Sequence, residues 1–135
     1  MLGDKLGEAS GKITGVRVLP TEGGKIKVEV SFQGSGKLMG VDIGDVGTYW
    51  QSIREGGVLH GEGHVLMTTA DGGIADWMGF GVGRPTGPPP AAHYAVSGQF
   101  ISVPTKLAHL GTIVTAIEYD VDANGGYRWQ MWEWK

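Results

Sequence analysis

Hydrophobic and polar positions alternate with a period of two over most of the chain. Residues 25–33 show it most cleanly. There Ile26, Val28, Val30 and Phe32 fall on one side, and Lys25, Lys27, Glu29, Ser31 and Gln33 on the other, as in a half-buried strand. Further strands are predicted at residues 12–19, where Pro20 ends the run, at 37–43 with a continuation over 44–50 after a bulge, and at 58–69 and 74–83. Three more follow at 91–103, 112–121 and 127–134. Glycine-containing turns separate these runs at 21–24, 34–36, 70–73 and 122–126,. Residues 1–10 read as a loose lead-in and 51–57 as a loop. Residues 104–110 are the one helix-like piece, with Pro104 at the start and Gly111 as a stop,.

About eight antiparallel strands with short connections predict an all-β fold, an up-and-down barrel with one short helix before the penultimate strand. A two-sheet sandwich is the alternative. The 25 glycines favour the barrel, because they lie inside strand-like runs rather than in a linker. Glycine within a strand marks a bend, a bulge or a close backbone approach, all needed where a sheet curls shut. At 135 residues the chain suits a single domain over 1–135,. The segment 84–90 holds three successive prolines, Pro88, Pro89 and Pro90, which cannot donate to a ladder and belong in a loop at a sheet end,.

Charge narrows the partners. A formal net charge of -3 with singly spread basic residues argues against nucleic acid held by its phosphates,. Cysteine is absent, which removes disulfides, thiolate chemistry and zinc–thiolate sites,. The first residues lack the apolar run of a signal peptide, and no segment reaches the length of a membrane helix,. The expectation is a cytoplasmic protein with no membrane partner, no cofactor and a tendency to form homo-oligomers.

Candidate chemistry concentrates on the hairpin of residues 58–83. With Asp71 and Gly72 as a two-residue turn, odd positions of the first strand share a face with even positions of the second,. One face then carries Val65, Met67, Met78, Phe80 and Val82; the other carries His60, Glu62, His64 and Trp77 beside Gly79, Gly81 and Gly83. Three glycines are hard to explain on a solvated face. The His/Glu face is therefore expected to line the interior, with the apolar face covered by another subunit. Together with His93 and Tyr94 on a later strand, His60, Glu62, His64 and Trp77 form the candidate ligand-binding set. Glu62 is the candidate acid/base, and burial beside imidazoles would push its pKa in opposing directions. His60 and His64 stand roughly 6.5 Å from Glu62 on either side along one strand face. They are a start for a metal site that Glu62 or His93 would complete, set against the plainer reading of a polar outer face,.

Other motifs resolve to structure. Asp120–Gly125 opens like a calcium loop, but the twelfth position is Met131, so a hairpin turn is the reading,. Gly79-x-Gly81-x-Gly83 lacks the spacing and the following helix of a phosphate loop,. No serine sits in a nucleophile elbow,. Trp129, Trp132 and Trp134 crowd the last strand, as core or as a self-association surface,.

The strings Gly61-Glu62-Gly63, Thr69-x-Asp71-Gly72 and Ala75-x-Trp77-x-Gly79-x-Gly81 resemble those of small uncharacterised proteins of the allene oxide cyclase-like barrel superfamily. The resemblance covers about a quarter of the chain. It implies a compact eight-stranded barrel that self-associates, some relatives binding or cyclising apolar small molecules inside; it implies no catalytic residue. Three functions stay open. The first is a barrel binding a small, mainly apolar molecule past the 85–90 loop, with cofactor-free isomerisation or cyclisation as any reaction. The second is a structural or interaction barrel with a packed interior. The third is a metal-dependent enzyme using His60 and His64.

Overall fold

The computed structural model describes the backbone of residues 1–135 and every side chain except that of Glu22. Eight strands follow one another: β1 (Leu2–Glu22), β2 (Lys25–Leu38), β3 (Val41–Ile53), β4 (Leu59–Thr69), β5 (Ile74–Pro85), β6 (Ala92–Ser102), β7 (Val114–Val121) and β8 (Gly126–Trp134). Each pairs antiparallel with the next and β8 pairs with β1, closing the barrel. Closure gives every strand a neighbour on both sides, although the 13–22 end of β1 runs on beyond β8. The up-and-down barrel is thus the fold, and the sandwich is not. No helix among the described residues is long and apolar enough to cross a membrane.

Several local expectations change. The turn expected at 34–36 is not one: β2 runs through it, and the chain turns at Met39–Gly40. The lead-in of residues 1–10 is the first half of β1, held by Trp132 and Trp134 of β8 on one side and by β2 on the other. Pro20 does not end that strand; the chain beyond it still pairs with β2. No bulge interrupts β3, whose register with β2 is continuous from Lys27↔Ser52 to Leu38↔Val41. The helix-like piece is a 3-10 segment, Thr105–Thr112. Its Leu107 and Leu110 are buried and close one end of the barrel over Leu6, Leu38, Ile43, Met67, Phe100 and Met131.

The hairpin register decides the rest. Thr69 and Gly73 close a three-residue loop, Thr69 N–H donating to the Gly73 carbonyl and Gly72 sitting at φ 88°. This is the glycine-bulge hairpin turn rather than the two-residue turn expected at Asp71–Gly72. One residue more in the loop slides the pairing by one: Val65 faces Trp77, and Glu62 faces Phe80. Such a slip exchanges the faces of one strand relative to the other. Val65, Met67 and Trp77 therefore share the buried face with Gly61, Gly63, Gly79, Gly81 and Gly83, while His60, Glu62, His64, Met78, Phe80 and Val82 share the outer face.

The glycines on the inner wall act as seats for rings. A Cβ at Gly79 or Gly98 would collide with the Trp77 indole, at Gly83 with the Tyr94 ring, and at Gly47 with Phe32. Large aromatic groups lie against bare backbone of their own or a neighbouring strand, which lets one small barrel enclose them all,.

Candidate functional site

The lumen divides into two halves along its axis. The half under the 3-10 cap is aliphatic and filled. The other half, toward the 85–90 loop, is a cluster of aromatic rings around Tyr119, with Phe32, Tyr49, Tyr94 and Tyr127 at centroid distances of 5.5–5.8 Å from it. A cavity of about 80 Å³ remains beside it. Tyr49, Tyr94, Tyr119, Val96 and Ile117 line one side, and Gly61, Gly63, Gly79 and Gly81 the other. The four glycines are themselves closely packed: a Cβ would meet Trp77 at Gly79, Val96 at Gly81, Tyr49 at Gly63 and the Trp50 carbonyl at Gly61.

Polar atoms are few and paired across the barrel. Tyr94 Oη donates to Gln51 Oε1 at 2.7 Å, joining β6 to β3 across the mouth and over the bare wall of β4 and β5. Tyr119 Oη lies 3.5 Å from Tyr49 Oη. Trp77 Nε1 donates to Thr115 Oγ1 at 2.9 Å, and Thr115 donates to the Gly98 carbonyl. Burial, above all, raises the pKa of Tyr49, Tyr94 and Tyr119 far beyond the ordinary phenol value. All three are neutral O–H donors across the physiological range, not bases.

One acid is inside. Asp45 is fully buried; its Oδ2 accepts from Tyr127 Oη at 2.8 Å and from Trp129 Nε1 at 3.1 Å, while Oδ1 has no partner. Burial raises its pKa, and the two hydrogen bonds oppose the rise without cancelling it. Asp45 is absent from the candidates that the sequence suggests, although it carries a signal. Val41, Ile43, Asp45, Gly47 and Tyr49 form one phase of an unbroken β3, so an acid occupies an inward position. A bulge placed after Ile43 hides that phase.

The six candidates separate cleanly. Trp77 and Tyr94 are buried in the lumen. His60, Glu62 and His64 are on the outer face of β4, so the expectation that they line the interior is corrected by the hairpin register. His93 is exposed on β6, its Nδ1 2.6 Å from Asp120 Oδ1. Among the described residues no three His, Cys, Asp or Glu side chains converge to hold a metal ion, and nothing joins His60 and His64 as a third ligand. The 120–125 segment is a hairpin turn in which Asp122 Oδ1 accepts from the N–H groups of Asn124 and Gly126.

No family model matches the sequence, and no curated protein matches it. Solved structures do match in shape. A β-barrel-like protein from Acinetobacter baumannii superposes with a TM-score of 0.82 at 15% identity, covering 100% of this chain and 96% of its own. A conserved protein of unknown function from Rhodopseudomonas palustris gives 0.81 at 13%, covering 98% and 97%. An enzyme from Penicillium herquei gives 0.64 at 16%, covering 96% and 92%. The likeness is one of fold.

Proposed function

We propose that the protein binds a small, mainly apolar molecule carrying a hydrogen-bond acceptor, inside the tyrosine-lined half of the barrel. The observation that carries this reading is the cavity itself. It combines apolar walls with the neutral phenol donors Tyr49, Tyr94 and Tyr119. At about 80 Å³ it is smaller than the roughly 150 Å³ void that holds benzene in an engineered core, so the guest is compact or enters as the Gln51–Tyr94 bridge parts. Strand parity places Val16, Val18, Ile26 and Val28 on the same side of the sheet as Val30 and Phe32. The first three are more than half exposed, giving an apolar approach at the open end.

Any reaction here is cofactor-free. Tyr49 and Tyr119 would donate to an oxygen of the guest and stabilise charge developing on it, in a site from which water is excluded. The resemblance to allene oxide cyclase-like barrels supports isomerisation or cyclisation, and one barrel of the same shape is an enzyme. The test is titration with phenol and with cyclohexanone, followed on the indole N–H resonances of Trp77 and Trp129. Saturable shifts that vanish in Val96→Trp, which fills the cavity, are expected. Silence of both indoles up to millimolar probe overturns the reading.

A packed structural barrel that self-associates is the second reading. It is favoured by Leu2, Trp134 and Val114, neighbours in register on three strands and each about half exposed. Sedimentation of the wild type and of Trp134→Glu distinguishes it, since only a contact through this row dissociates on substitution.

A further inference from the structure

The side chains that do not enter the lumen build a different feature on its outside. Two rows run across the outer face of β2 to β6. Lys27, Ser52, His60, Val82 and Ala95 are successive register partners in one row, and Glu29, Trp50, Glu62, Phe80 and Ser97 in the next. Adjacent members are about 4.8 Å apart along the ladder direction. The β1–β2 hairpin continues past the end of the β1–β8 pairing at Lys12↔Gly126, bringing Lys25 to the same place. Arg54 adds a further cation from the loop after β3. All of these except Glu29 line one groove of about 550 Å³, within the range of small-molecule sites.

We propose that this groove binds a small organic anion with a flat apolar body, headed by a carboxylate or a phosphate. The charge distribution supports this. In a chain of net charge -3, Lys25, Lys27, Arg54 and His60 meet around one groove, and Lys27, Arg54 and His60 form no ion pair among the described residues. Elsewhere Lys5, Arg17, Lys37, Lys106 and Arg128 are each paired with a carboxylate, while Lys12, Arg84 and Lys135, which form no ion pair among the described residues, do not gather around a groove. The neighbouring row supplies the platform. Phe80 is 59% exposed, and Trp50 is held in place by its Nε1 donating to Glu29 Oε2 at 2.9 Å, itself tied to Arg17 at 3.0 Å. A flat body stacked on Trp50 puts an anionic head among Lys27, Arg54 and His60, one row away,. Glu62 stands between the two rings. It repels a second anionic group there and accepts from a donor, which orients the ligand head-first toward the cations.

This site is separate from the lumen, although Gly61 and Gly81 line both spaces and the wall between them is one backbone thick. The experiment is titration of isotope-labelled protein with 1-naphthoate, 1-naphthyl phosphate, neutral 1-naphthylmethanol and inorganic phosphate, read on the Trp50 indole N–H. Saturable shifts with one or both naphthyl anions, at least tenfold tighter than with the neutral alcohol or inorganic phosphate, are expected; the stronger naphthyl arm identifies the head group. The double variant Lys27→Glu/Arg54→Glu should weaken binding at least tenfold, with an unmoved Trp77 indole reporting an intact barrel. His60→Gln should weaken it less. An unmoved Trp50 indole, or equal affinity for the neutral alcohol, overturns the proposal.

Discussion

Removing the Asp45 carboxyl tests whether the lumen is organised as described. Asp45→Ala leaves Tyr127 Oη and Trp129 Nε1, both buried, without their common acceptor. Each unsatisfied donor costs about 1–3 kcal/mol, so the loss is about 2–6 kcal/mol, before any contribution from the small cavity created. Asp45→Asn keeps an acceptor oxygen for both donors and should cost less, although its NH2 takes the place of the unpartnered Oδ1. Urea unfolding at neutral pH measures the two variants directly. The charge gives a second readout. A carboxyl whose pKa is raised on folding binds its proton more tightly in the native state. Its contribution to stability is complete at pH values below the ordinary carboxylate range and is withdrawn as pH rises from there through the raised native value. The withdrawal amounts to about 1.4 kcal/mol for each pH unit that separates the unfolded and native values. Asp71 and Asp122 act in the opposite sense, because hydrogen bonds, from Lys106 and from turn backbone N–H groups respectively, lower their pKa. The difference between wild type and Asp45→Asn isolates the buried group: it should fall as pH rises. A flat difference between pH 3 and 8, or an Asp45→Ala cost below about 1 kcal/mol, refutes the account.

Three further outcomes follow from the same packing. Gly98→Ala puts a Cβ into the Trp77 indole and should destabilise the barrel by about 1–3 kcal/mol, whereas Gly15→Ala, which meets nothing, should be neutral in the same thermal melt. Thr115→Val removes the acceptor of Trp77 Nε1 in a site with no exposure and should cost about 1–3 kcal/mol by urea unfolding,. Tyr94→Phe loses the bridge to Gln51, so amide exchange around Gly61 and Gly81 should quicken, with a stability loss of about 0.5–1.5 kcal/mol,.

The architecture was legible because it is written locally. Alternation at Ile26 to Phe32, glycine-containing turns and evenly spaced strands determine a run of antiparallel strands whatever their neighbours do,. Two of the six candidate binding residues, Trp77 and Tyr94, were also legible as large aromatics in strands that must pack somewhere. The orientation of His60, Glu62 and His64 was not. It rests on whether the turn after Thr69 holds two residues or three, a backbone choice that inverts one strand relative to its partner and that Ala70-Asp71-Gly72-Gly73 permits either way,. Tertiary closure decided the remainder. Asp45 with Tyr127 and Trp129, and Tyr94 with Gln51, come together only when eight strands share one cylinder. Their sequence separations carry no periodic signal, because the contacts run across the barrel rather than along any strand. The sequence alone determined a run of eight antiparallel strands and favoured a barrel; the pairing of β8 with β1 closed it, and the register of its fourth and fifth strands decided what that barrel holds inside and what it shows outside.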